Sequence, residues 1–268
     1  MTAETYRFHE FDIPVDLLNL TGGGIDTFDV IAAAHMTGLS QFIGISPNHS
    51  ILEIGCGIGR DAIPLTKILS EEGKYLGVDI IERSVNFCNE NIKARYKSFD
   101  FIHYDVADQL HNPTGTTKTT GIKLPIEDHS IDRIIAWSVF THLYEVDIRH
   151  YLKEFRRVLK PDGLGYVTMF VVDDAILESA RKTNLTPFNL RFEHPLTENC
   201  FMNDPAFPLG AIAYRREAFN AMIADAGLGL KRDFLRGAWS GYYANPEDGQ
   251  DVMIICQPES ATQGSLSN

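Results

Sequence analysis

The chain has 268 residues and a formal charge of −12, from Lys+Arg 24 against Asp+Glu 36. That length buries a full core as one large domain, or one domain with an insertion, and 44% hydrophobic with 22% charged residues is ordinary globular composition. The acidic balance argues against sequence-independent nucleic-acid binding, which needs clustered Lys and Arg, and no apolar run approaches the ~20 residues that span a bilayer.

Residues 1–48 read as an N-terminal helical cap, with a helix over 26–43 preceded by the turn Thr21-Gly22-Gly23-Gly24. The core runs over 49–172. A strand at 50–54 stops at glycines and a helix follows over 60–69. A strand at 74–78 ends at Asp79, a helix covers 82–96, and a strand at 99–104 ends at Asp105. Glu53, Asp79 and Asp105 thus close three strands at a constant spacing of 26 residues. Such a βαβαβ unit implies an α/β fold with a parallel sheet and right-handed crossovers.

The Thr- and Gly-rich stretch 107–121 reads as a surface loop. A strand at 131–137, a helix at 147–159 ended by LKPDG, and a strand at 165–172 resume the rhythm. Residues 173–212, rich in proline and aromatics, read as an insertion forming part of an acceptor pocket. A helix over 214–226 ends at Gly227, and strands at 228–235 and 251–257 form an antiparallel pair that completes the core over 213–257. The remainder, 258–268, reads as a disordered tail.

ILEIGCGIGRDAIPL at 51–65 carries the most information, because glycines between a strand and a helix let backbone approach a ligand at a helix start. A dinucleotide site uses G-x-G-x-x-G, and in that register Arg60 stands where the third glycine belongs. Glu53 two residues before Gly55, with Gly57 and Gly59 following at every second position, fits S-adenosylmethionine better. A carboxylate at Asp79 has the two oxygens that suit a vicinal diol, although a solvated strand end would also place an acid there.

Four segments in order, LEIGCGIGR (52–60), YLGVDI (75–80), LPIEDHSIDRIIAWSVFTHL (124–143) and YLKEFRRVLKPDGLGYVTMF (151–170), resemble class I S-adenosylmethionine-dependent methyltransferases of the small-molecule type. The likeness covers most of 50–172. It implies a Rossmann-like, doubly wound, seven-stranded sheet, mostly parallel with an antiparallel last strand. It places Gly55, Cys56, Gly57 and Gly59 around the methionine part of the cofactor, with Glu53 supporting the loop and Arg60 closing it. Asp79 would take the ribose hydroxyls and Ile80 would lie against adenine. Asp105 would accept from the adenine amino group beside Val106, and Trp137 and Ser138 would line the methionine side.

Methyl transfer to a hydroxyl also needs a proton acceptor. His142 in SVFTHL is the first candidate, since imidazole titrates near neutrality, and local packing at a helix start is the competing role. Asp173, with Asp174, either assists it, by orienting it, acting as base or binding a metal with it, or caps the following helix. His194 and the aromatic loop with Trp239 and Tyr242 would overhang the acceptor, or form a satellite core. Tyr6, Phe8 and His9 would close the site from the N-terminus.

After the fourth strand the chain reads Ala-Trp-Ser-Val-Phe, not the Asn/Asp-Pro-Pro-aromatic tetrapeptide of base-amino methyltransferases, and it has no Pro-Cys dipeptide. These absences argue against nucleic acid, and the similarity of WSVFTHL and LKPDG to small-molecule oxygen methyltransferases implies transfer to a hydroxyl of a small metabolite or natural product, without nucleic acid or membrane. Transfer to nitrogen, an NAD(P)-dependent oxidoreductase and a cofactor-binding module without turnover are the alternatives. Cys56, Cys88, Cys200 and Cys256 stand singly, with no CxxC pair, and the N-terminus lacks the apolar stretch of a signal peptide. These features point to reduced thiols in the cytoplasm and no metal site.

Overall fold

The computed structural model describes residues 4–183, 185 and 188–258. An antiparallel hairpin, β1 (Thr5–Phe8) and β2 (Phe11–Pro14), leads into the short helix α1 (Val15–Leu18) and the long α2 (Phe28–Phe42). The core then follows as β3 (Ser50–Ile54), α3 (Ala62–Leu65), β4 (Lys74–Asp79), α4 (Glu82–Cys88) and β5 (Phe99–His103). After a long connection come β6 (Ile131–Ala136), α5 (Glu145–Val158), β7 (Leu159–Met169) and β8 (Val171–Val172). The C-terminal part holds α6 (Asp174–Thr183), β9 (His194–Thr197), β10 (Cys200–Met202), β11 (Ile212–Arg215), α7 (Arg216–Asp225), β12 (Gly229–Leu230) and β13 (Asp251–Cys256).

Seven strands form the main sheet in the order β12-β13-β7-β6-β3-β4-β5. The five from β5 to β7 run parallel, while β13 is antiparallel to β7 and to β12. This is the expected mostly parallel sheet with a reversed last strand. The strand order reverses between β3 and β6, and ligands bind at the carboxyl ends of strands at such a switch point.

Strand side chains alternate between two faces. Leu52, Ile134 and Val167 pack with Ile148, Leu152 and Phe155 of α5 and with Phe219 and Met222 of α7. Their neighbours Ile51, Ile135 and Tyr166 enter the opposite layer, with Phe28 and Leu39 of α2, Ile63 of α3 and Val85 of α4. Both faces are covered, so the strands are apolar throughout. A third, smaller cluster collects Phe170, Ile176, Phe192 and Trp239 beyond the sheet edge.

Several elements differ from the sequence reading. The N-terminal segment begins as the β1–β2 hairpin, its strands tied by backbone pairs, before any helix forms. The helix expected over 82–96 is α-helical only to Cys88 and continues as a π-turn over Asn89–Lys93. The helix expected from Tyr214 starts at Arg216, because Ile212–Arg215 pairs with β10 and β8. The strand expected over 228–235 shortens to Gly229–Leu230, with one further bridge from Leu235 to Val252. The second four-stranded sheet, β8-β11-β10-β9, was not anticipated. Of the expected tail, 259–268 lies outside the described residues.

Candidate active site

The carboxyl end of β3 turns sharply through Gly55, Gly57 and Gly59, all at positive φ (75°, 51° and 82°). A side chain at Gly55 would meet Val139 Cγ2 at 2.5 Å, and one at Gly59 would meet Ile92 Cδ1 at 2.5 Å. Only glycine satisfies both the dihedral and the space. The turn is pinned to β4: the Gly55 and Cys56 N–H groups donate to the Val78 carbonyl (2.7 and 3.2 Å). The Gly57 N–H donates to Asp79 Oδ2 at 2.7 Å, and Ile81 N–H donates to Oδ1 at 2.8 Å. Cys56 is buried as packing, its sulfur against Gly77, where a Cβ would sit 2.8 Å away. Burial pushes its thiol well above the ordinary range, so it is no nucleophile.

Acids gather beneath this turn. Glu53 is buried at the end of β3 and accepts from the hydroxyl of the buried Tyr75. Burial raises its carboxyl well above the usual range, reinforced by Asp61. Burial also raises Asp79, opposed by the Ile81 and Gly57 N–H groups. Arg60 closes the loop from above: its Nη1 donates to the Gly22 carbonyl at 2.8 Å and its guanidinium lies 5.7 Å from the Phe28 ring centre. Asp61 accepts from His35 Nδ1 at 2.9 Å, and the His35 ring stacks flat on Trp137 at 3.7 Å. The N-terminal segment therefore sits directly on the glycine loop.

The residues present fit S-adenosylmethionine. Two buried side-chain donors beside the loop, Arg60 Nε and Trp137 Nε1, lack a partner among the described residues and suit a carboxylate. Asp79 keeps lone pairs for a diol. Ile80 follows it, packed against the α5-side core. Val106 is buried, whereas Asp105 is already engaged: it accepts from Thr116 Oγ1 at 2.6 Å and Asn112 Nδ2 at 3.1 Å, closing the 105–117 loop. Ser138 has a positive φ of 52°, donates its N–H to Thr168 Oγ1 at 2.7 Å and accepts from Gln250 Nε2 at 2.8 Å. It thereby aims the turn that carries His142.

On the acceptor side the structure sorts the candidates. His142 lies in the turn Phe140–His142, and its Nδ1 faces the Leu209 carbonyl at 2.9 Å. A carbonyl only accepts, so Nδ1 carries the proton and Nε2 keeps its lone pair in the neutral ring, with the Gly210 backbone also facing the imidazole. Burial pushes its pKa below the ordinary histidine value. Asp173 instead accepts the Ile176 N–H at 2.7 Å as the cap of α6, and Asp174 pairs with Arg215 at 2.9 Å. Trp239 is no lid: it is buried between Phe170 and Phe192 and donates Nε1 to the buried Asp251 at 2.7 Å. Tyr242 is 47% exposed beside Tyr243, and His194 is exposed on β9. Tyr6 and Phe8 hold the hairpin to Asp29 and Phe28 of α2, and His9 forms the hairpin turn.

One group escaped sequence reading. The supposed surface loop turns back so that the His111 ring meets the His142 ring edge to face, centres 5.7 Å apart. A proton on His111 would favour the Asp79 carboxylate. The histidine was legible in QLHNPTG, but its approach depends on the bridges Val106–Thr117 and Asp108–Asn112, which no local pattern announces.

Residues 51–163 match the family model described as a methyltransferase domain. An uncharacterised 37.1 kDa protein in transposon TN4556 of Streptomyces fradiae is 32% identical over 214 residues, 73% of this chain and 54% of its own. Methyltransferase GfsG of Streptomyces halstedii is 26% identical over 134 residues, 50% of this chain and 42% of its own. The tRNA N(3)-cytidine methyltransferase METTL2 of Danio rerio is 26% identical over 132 residues, 46% of this chain and 32% of its own. The chain spans about half the length of the curated relatives it matches. A crystal structure of a SAM dependent methyltransferase from Aquifex aeolicus shares the fold at a TM-score of 0.51 and 17% identity, over 84% of this chain and 90% of that one.

Proposed function

Because the chain belongs to the class I S-adenosylmethionine-dependent methyltransferases, we propose that it transfers the methyl group to a hydroxyl of a small metabolite or natural product. The observation that carries the choice of oxygen is His142, whose Nδ1–H is spent on Leu209 and whose Nε2 is left to accept a proton at the carboxyl edge of the sheet.

When bound, the cofactor supplies a methyl carbon activated by an adjacent sulfonium. The chain holds it through Arg60 and Trp137 at the carboxylate, Asp79 at the ribose and Val106 near adenine, and excludes water with Thr21–Gly24 over the glycine loop. His142 stays neutral at physiological pH because burial disfavours its charged form, so its lone pair is available to the hydroxyl. A charge of −12 and the absence of a base-amino motif favour a small acceptor over nucleic acid. The buried thiols of Cys56, Cys88 and Cys200, outside any disulfide, support a reducing, cytoplasmic setting.

The test is His142→Gln. It should lower kcat on a hydroxyl acceptor by about 10²- to 10⁴-fold, the usual worth of a general base, while leaving S-adenosylhomocysteine affinity within twofold. Full turnover in the variant would move the acceptor to nitrogen. Methylation of transfer RNA but of no small molecule would overturn the substrate class.

A further inference from the structure

His142 has a difficulty as a lone base. Its Nδ1–H points to the neutral Leu209 carbonyl, it is largely buried, and the Asp108 carboxylate that favours its charged form is hydrogen-bonded to His111 instead. A proton taken up there would create an imidazolium with no hydrogen-bonded counter-charge among the described residues, in a low-dielectric site. His111, facing it at 5.7 Å, has what His142 lacks. Its Nδ1 lies 3.1 Å from Asp108 Oδ1, and its side chain is 31% exposed while that of Asp108 is 10% exposed. Burial would raise the Asp108 carboxyl, but hydrogen bonds from the His111 ring and from the His111 and Leu110 N–H groups hold it below its usual value. Asp108 is therefore a carboxylate, His111 Nδ1 is its donor, and His111 Nε2 keeps a lone pair on a ring that meets the His142 ring.

We infer that His111, positioned and charge-compensated by Asp108, is the outlet for the proton that His142 removes from the acceptor hydroxyl. This rests on the hydroxyl reading above. In the step, the acceptor oxygen bonds the methyl carbon and the carbon–sulfur electron pair stays on sulfur. The hydroxyl proton goes to His142 Nε2. It then passes to His111 Nε2, directly or through a bridging water, and leaves to solvent from the more exposed ring. The charges facing the pair are Asp108 from the same loop, Asp79 from β4, and each histidine for the other; the backbone of Leu209 and Gly210 completes the surroundings of His142.

Asp108→Asn keeps an oxygen for the backbone N–H groups of its turn but removes the charge. His111→Gln removes the relay, and S-adenosylhomocysteine calorimetry checks that the fold and cofactor site are intact. His111→Gln should lower kcat about 10- to 100-fold, with acceptor KM and S-adenosylhomocysteine Kd within twofold. Asp108→Asn should move the acid limb of the kcat profile to lower pH, because the Asp108 carboxylate favours the protonated form of His142. Independently of turnover, nitrogen chemical shifts of the cofactor-free protein should report both rings protonated at Nδ1, with His111 losing that preference in Asp108→Asn.

An unchanged kcat in His111→Gln, with His142→Gln still impaired, overturns the relay and leaves the hydroxyl reading standing. Unchanged turnover in both variants removes the hydroxyl reading itself. A Kd for S-adenosylhomocysteine weakened tenfold by His111→Gln at constant kcat makes His111 a ribose contact beside Asp79, which also overturns the relay. So does a His111 ring protonated at Nε2 in the wild type.

Discussion

The two halves of the site are built differently. At the glycine loop the key contacts join neighbouring strands 22 residues apart, Gly57 to Asp79 and Glu53 to Tyr75. On the acceptor side, His142 meets Leu209 across 67 residues and Ser138 meets Gln250 across 112. The first half is a rigid product of one βαβ unit. The second is assembled from separate loops, each anchored by its own buried group, and its geometry is free to change without disturbing the first.

Substitutions should respect that division. The largest effect is expected at Gly59, where alanine combines a φ of 82° with a 2.5 Å contact to Ile92. Gly59→Ala should cost about 2–4 kcal/mol in urea unfolding, from left-handed strain plus overpacking. A loss under 1 kcal/mol would mean that the loop is softer than described.

Next is Asp251, which anchors the acceptor side by accepting from Val171 N–H, Gly237 N–H and Trp239 Nε1. Burial raises its pKa from 3.8 to about 6. The native state therefore holds a proton that the unfolded chain has lost between about pH 4 and 6. The contribution is fully present below pH 4 and is lost as pH rises through 6, a difference of about 3 kcal/mol by pH 7. Stability measured across that window should lose this pH-dependent component in Asp251→Asn. An identical slope in the variant would assign the titration elsewhere.

Asp79→Asn comes third. Loss of a charge-assisted pair to the ribose should weaken S-adenosylhomocysteine binding about 10- to 100-fold by calorimetry, with little effect on acceptor KM. The smallest effect is expected at Asp173. As the cap of α6, its replacement by alanine should cost about 1 kcal/mol in thermal unfolding and leave kcat unchanged. A tenfold fall in kcat without loss of stability would return it to the chemistry.

The same division governs what could be read from sequence. Gly55, Gly57, Gly59 and Asp79 were legible because strand–turn–helix geometry prescribes residue type at each position. The parallel βαβαβ start followed from the recurring strand-end acids, while the seven strands with a reversed last one came from the family resemblance, with which the C-terminal pair agreed. Of the two readings open for Trp239, lid or satellite core, the second holds, because the buried carboxylate of Asp251, twelve residues on, draws it inward. Tyr214 misled because its helical spacing was overruled by pairing with Cys200 and Val171. His111 stayed hidden since a Thr- and Gly-rich stretch gives no sign of where it folds back.

The chain has 2 tryptophans, and they fall one on each side of this division. Trp137 lies in face-to-face contact with His35 beside the glycine loop, while Trp239 sits in the dry cluster of Phe170 and Phe192. Intrinsic fluorescence is thus a pair of local gauges. With Trp239→Phe the remaining emission reports events at the methionine end of the proposed cofactor site, and with Trp137→Phe it reports those at the acceptor loops, so the order in which the two ligands arrive can be followed without any added label.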